Sequence, residues 1–229
     1  MECNCGKLLD RNGNGIKNQI ANSMLDQRIV GGNRAPEYSI PWQVGLYHIE
    51  INVVFCGGTI IGPFTIMTAA HCLVDIDVSQ IYVFATSTDI SEIEGNLYPV
   101  EETISHPKYK DSNVIFDFAI LKLKKPIPFG RKANAACLPQ DPFELYVGAN
   151  LMVSGWGNMA PTGGTDQFPN ELQVTLPKFI KYFPKRHLTF SSLELKEWTM
   201  NNVAIISIMP KNAILHLKKP FQKKCYVLE

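Results

Sequence analysis

Residues 117–123 read Asp117-Phe118-Ala119-Ile120-Leu121-Lys122-Leu123. The run from Phe118 is apolar on both faces at its start, which predicts a buried strand. Similar short runs lie outward on both sides: Trp42–Tyr47, Gly58–Ile61 and Ile81–Thr86 before it, Leu151–Trp156 after it. Gly, Pro, Asn and Asp separate them. Several short strands at close spacing predict an all-β sandwich or barrel.

The whole chain has 229 residues, 45% apolar and 19% charged, with a formal net charge of +1. That composition supports a sizeable core and excludes wholesale disorder. The near-neutral charge gives no reason to expect a nucleic-acid or membrane partner. No apolar run approaches the roughly 18 residues of a spanning helix; Val203–Met209 is stopped by Pro210. The first residues, MECNCGKLLDRNGNG, have no apolar core, so no signal peptide is expected in this chain. Asn12-Gly13-Asn14-Gly15 is turn and linker chemistry.

A break divides the chain. Residues 1–176 hold 12 basic and 18 acidic residues, a net of −6, and residues 177–229 hold 10 and 3, a net of +7. All 16 glycines lie at or before Gly164. A shift of that size marks a boundary.

Four segments carry chemistry: Arg28-Ile29-Val30-Gly31-Gly32, Thr68-Ala69-Ala70-His71-Cys72, Asp117–Leu121 and Ser154-Gly155-Trp156-Gly157. With Cys56-Gly57-Gly58-Thr59 before the second, and in this order, they are highly specific. The sequence resembles the chymotrypsin/trypsin-like serine endopeptidases from Ile29 to about Leu176. The resemblance implies peptide-bond hydrolysis by a His-Asp-Ser triad. A hydroxyl is a poor nucleophile and needs a base within hydrogen-bond reach, which in turn needs an anion to fix its tautomer. His71 matches the base and Asp117 the orienting carboxylate. His48, His106, His187 and His216 lack such a context and read as surface or satisfied core residues.

The resemblance also implies a zymogen, cut between Arg28 and Ile29 by an activating protease that recognises basic residues. It pairs Cys56 with Cys72 around the histidine loop. It matches Cys137 to the cysteine that holds the pro-segment, with Cys5 preferred over Cys3 as its partner. Disulfides imply an oxidising compartment, so a secreted, extracellular protein is expected. Glu92, Glu94, Glu101 and Glu102 lie where some members hold calcium. The residues themselves read as a solvated acidic loop, so no cofactor and no metal are expected.

Beyond Glu171–Leu176 the resemblance stops. The nucleophile's Gly-Asp-Ser-Gly-Gly context, the oxyanion hole and the specificity pocket are expected there. The serines after Asp117 are Ser154, Ser191, Ser192 and Ser207. Ser154 belongs to the matched Ser154-Gly155-Trp156-Gly157 strand, and Ser191, Ser192 and Ser207 have no glycine near to form the open turn of an oxyanion hole. Ser191–Asn201 reads as a short helix, and Val203–Met209 and Ala213–Leu217 as strands, but residues 177–229 as a whole read as an irregular cationic tail.

The expectation is therefore a trypsin-like double β-barrel, the first barrel complete and the second truncated. Residues 1–28 form a pro-segment or linker, 29–176 a partial protease domain and 177–229 an unmatched tail. The strands after residue 150 are expected to be left with unpaired edges. Functionally the chain reads as a truncated family member, inactive as written for want of the serine. Protein substrates would follow only for an active full-length form. The alternative is a non-catalytic homologue that binds or regulates.

Overall fold

The computed structural model describes residues 5–7, 33–112, 116–138, 150–159, 165, 167–175 and 204–209. Arg28 and Ile29, Cys3 and Cys225, the 191–201 segment and the 213–217 segment lie outside the described residues. Among the described residues the regular structure is β-strand and short 3-10 turns: β1 (Asn33–Arg34), β2 (Gln43–His48), β3 (Val53–Gly62), β4 (Thr65–Thr68), β5 (Ile81–Phe84), β6 (Leu97–Ser105), β7 (Ala119–Leu123), β8 (Asn150–Gly155), β9 (Gln173–Thr175) and β10 (Ala204–Met209). Six of them close into an antiparallel barrel in the order β2-β3-β4-β7-β6-β5. The other four form a sheet in the order β1-β9-β8-β10. The chain is thus all-β, a complete barrel with a second sheet against it.

The barrel forms because alternate positions along each strand are apolar and closure removes the edges. β7 shows the alternation: Ala119, Leu121 and Leu123 are buried, while Ile120 and Lys122 are half-buried. The buried strand expected over Phe118–Leu123 thus forms from Ala119, with one face buried and the other half-buried. Phe118 lies before the strand and is 45% exposed. Val44, Leu46, Ile60, Ile66, Val83 and Leu121 fill the interior. Gly58 on β3 lies beside the side chains of Val44 on β2 and Ile66 on β4. A Cβ there would lie 2.8 Å from Ile66 Cγ2 and 2.9 Å from Val44 Cγ2, too near for any side chain to fit without movement.

The sheet shares one core with the barrel. Met152, Trp156, Leu172 and Val174 join Trp42 and Phe84 in a single buried cluster. The Phe84 and Trp156 rings meet edge-on at 5.8 Å. The Trp156 indole N–H donates to Thr88 O at 3.2 Å. Ser154 Oγ donates to Gln43 Oε1 at 2.7 Å, both side chains buried. A buried polar pair of this kind is tolerated because each satisfies the other.

Two expectations need correction. Residues 204–209 are not irregular. β10 pairs antiparallel with β8 over six positions, from Ala204 opposite Gly155 to Met209 opposite Asn150. A run with no charge and no Pro is strand-competent, and it satisfies the backbone groups that β8 would otherwise present. Nor do Glu101 and Glu102 lie in an acidic loop. Both are exposed positions on β6, with Glu102 opposite Lys122 of β7.

Candidate active site

His71 lies in a 3-10 turn, Ala70–Leu73, that follows β4. Two restraints hold the turn. Thr68 Oγ1 donates to Gly57 O at 2.7 Å, tying the end of β4 to β3. Cys72 is bonded to Cys56 of β3. Closing that 16-residue separation stabilises the fold by about 3 kcal/mol in the chain-entropy account. Asp117 comes from the other side, just before β7. The Phe118 N–H donates to Phe116 O at 2.8 Å, so Asp117 is the middle residue of a tight three-residue turn.

The two elements bring the side chains into a double contact. His71 N–H donates to Asp117 Oδ1 at 2.8 Å. His71 Nδ1 lies 2.7 Å from Asp117 Oδ2. The hydrogen bond to Asp117 holds His71 above the ordinary imidazole value; burial opposes this, and the charges of Asp117 and Asp111 add to it. Burial would push the Asp117 carboxyl up, but the hydrogen bonds from the His71 ring and backbone, the His71 charge and the Ala70 amide outweigh it and hold the group below the ordinary value. A carboxylate on Nδ1–H leaves Nε2 with its lone pair free, the tautomer a general base needs. The His71 side chain is 39% exposed.

Cys56, His71 and Cys72 place their ligand atoms within 4.8 Å of one another, and Nε2 is 3.5 Å from Cys72 Sγ. The two sulfurs are joined to each other and offer no thiolate, so the residues present do not fit a metal. Among the described residues the four glutamates do not converge in this way. Glu92 Oε2 accepts from Ser87 Oγ at 2.7 Å instead.

Cys137 is bonded to Cys5. Gly6 makes the approach possible: its φ is +62°, its N–H donates to Ala135 O at 2.9 Å, and a Cβ would lie 2.9 Å from Cys137 Sγ. Among the described side chains, the one serine after Asp117 does not come to the pair. Ser154 is engaged with Gln43 in the core. The Ser207 backbone pairs opposite Met152 in the β10–β8 register. Ser191 and Ser192 lie outside the described residues.

His106 lies in no motif of the sequence. The structure places its ring between two neighbours of Asp117. It stacks on Phe116 at 4.9 Å and 12° and lies tilted against Phe118 at 4.6 Å. Phe116 holds φ +58°, a region that costs a non-glycine residue roughly 1–2 kcal/mol. Aromatic pairs return about 0.5–1.5 kcal/mol each, enough to offset that strain.

A family model described as Trypsin matches residues 29–180. The chain is similar to "Serine proteinase stubble" of Drosophila melanogaster, at 34% identity over 161 residues, 66% of this chain and 20% of that protein. It is similar to "Clotting factor G beta subunit" of Tachypleus tridentatus, at 32% over 136 residues, 57% and 44% of the two chains. It is similar to "Venom serine protease 34" of Apis mellifera, at 35% over 145 residues, 59% and 36%. The matched segment spans less than half the length of each of these relatives.

Proposed function

The chain belongs to the trypsin family of serine proteases, as the match over residues 29–180 shows, and on that premise we propose that His71 and Asp117 are the general base and the orienting carboxylate of a serine-peptidase triad. The observation that carries this reading is the double contact, ring nitrogen to Oδ2 at 2.7 Å and backbone N–H to Oδ1 at 2.8 Å. It fixes both the tautomer and the angle of the imidazole, which is what proton transfer from a hydroxyl requires.

In this reading residues 1–28 are a pro-segment, cut from 29–176 after Arg28 by a protease selective for basic residues. The Cys5–Cys137 bond keeps the cut segment attached. In an active full-length form the triad would hydrolyse protein substrates outside the cell. Two disulfides support an oxidising compartment, and no helix among the described residues is long and apolar enough to cross a membrane.

Residues 1–229 hold no Gly-Asp-Ser-Gly-Gly segment. In a related chemistry, loss of the nucleophile lowers turnover by on the order of 10⁶. The 229-residue chain is therefore proposed to be inactive by itself. The test is to cut it after Arg28 and add a serine-directed fluorophosphonate. No covalent labelling is the expected result, and labelling would overturn the inactivity.

The β10–β8 pairing favours a second reading, a non-catalytic homologue that binds or regulates. A strand from the 177–229 segment completes the sheet beside the barrel, which supports a folded product in its own right. A saturable complex with an active protease of the same family would support it. A chain that elutes only as aggregate would count against it.

A further inference from the structure

We propose that His106 is a positioning residue for the His71–Asp117 pair, gripping the residue on each side of Asp117; the inference rests on the reading of that pair given above. Both Asp117 oxygens are engaged, Oδ1 by a backbone amide and Oδ2 by the His71 ring. Hydrogen bonds of this length weaken steeply with angle, so the three-residue turn that carries Asp117 cannot rotate without breaking one of them. The core does little to hold that turn, because Phe116 and Phe118 are 47% and 45% exposed.

His106 supplies what the core does not. Its ring lies flat on Phe116 and tilted on Phe118. Its backbone N–H donates to Phe118 O at 3.0 Å. The ring is itself oriented, since the Lys108 amide donates to His106 Nδ1 at 3.2 Å. Lys108 Nζ lies 5.8 Å from the Phe116 centroid, adding a cation to the stack. Phe116 sits at φ +58°, where a bulky residue persists only if its surroundings over-determine it. Removing the His106 ring frees Phe116 to relax, and the relaxation swings the residue next to it, Asp117.

The test uses the full oxidised chain and reads the pair directly by NMR. The wild type should show a downfield His71 Nδ1–H resonance and a His71 midpoint above about 6.5. His106→Ala should abolish the resonance and lower the midpoint toward that ordinary value. His106→Phe keeps a ring between Phe116 and Phe118 and should keep both signals. If His106→Ala does not fold, Phe116→Ala carries the same expectation, because it removes an exposed side chain. Unchanged signals in His106→Ala, or in Phe116→Ala where that carries the test, would overturn the proposal, as would their loss in a folded His106→Phe. A wild type with neither the resonance nor the raised midpoint would sink the reading of the pair itself, a result visible before any variant is made.

Discussion

The Ser154 hydroxyl donates to Gln43 Oε1 across 2.7 Å, linking residues 111 positions apart in a fully buried contact. It is a polar tie between the second sheet and the barrel. Ser154→Ala leaves a buried acceptor unsatisfied and should lower stability by about 1–3 kcal/mol. Ser154→Ala combined with Gln43→Met removes both partners and should recover much of that loss. Urea unfolding of the two variants checks the order.

The two disulfides among the described residues close very different loops, 16 and 132 residues in separation. Loop entropy gives about 3 and 5 kcal/mol respectively. The paired serine variant at Cys5 and Cys137 should therefore be the less stable of the two in urea. Only the Cys56/Cys72 variant should also broaden the His71 signals, because that bond anchors the turn on which the ring sits.

Stability should fall on both sides of neutral pH for reasons that can be separated. His71 is raised in the folded state, so its contribution is full below about 6.5 and is lost as pH rises through its folded value. Asp117 is lowered, so its contribution is present above about 3.9 and is lost as pH falls through its folded value. Asp117→Asn should flatten both limbs of a plot of urea midpoint against pH.

Cleavage after Arg28 should leave a single covalent species. Intact mass should rise by one water without reductant, and reduction should release residues 1–28. Release before reduction would contradict the Cys5–Cys137 bond.

Deleting residues 204–229 uncovers the β8 edge. Light scattering should then show association at concentrations where the full chain is dispersed, since an unpaired edge beside apolar surface recruits further strands. A dispersed deletion variant would mean that β10 does not protect the sheet.

The barrel was legible because its signals are local. Trp42–Tyr47 and Ile81–Thr86 announce strands by apolar patterning between turn residues, and β2 and β5 form there. Thr65–Thr68 was missed, since four residues after Gly62-Pro63 carry too little pattern to read. β10 was visible as an apolar run, but its partner was not, because pairing with β8 is a long-range fact. At the site, the TAAHC context pointed to His71, whereas His106 was invisible. Its contacts with Phe116 and Phe118 span ten and twelve positions and exist only once β6 and β7 are paired.

The sheet order β1-β9-β8-β10 has a consequence in time. Arg34 finds its partner at Gln173, about 140 positions later, whereas every strand of the barrel ends by Leu123. During synthesis at roughly 5–20 residues per second, the barrel can close while β1 waits on the order of ten seconds for β9 to emerge. Sheet assembly is thus the slow, non-local half of folding. The nascent chain passes through a stage in which a finished barrel carries a loose N-terminal strand, tethered only once Cys137 has also emerged and met Cys5.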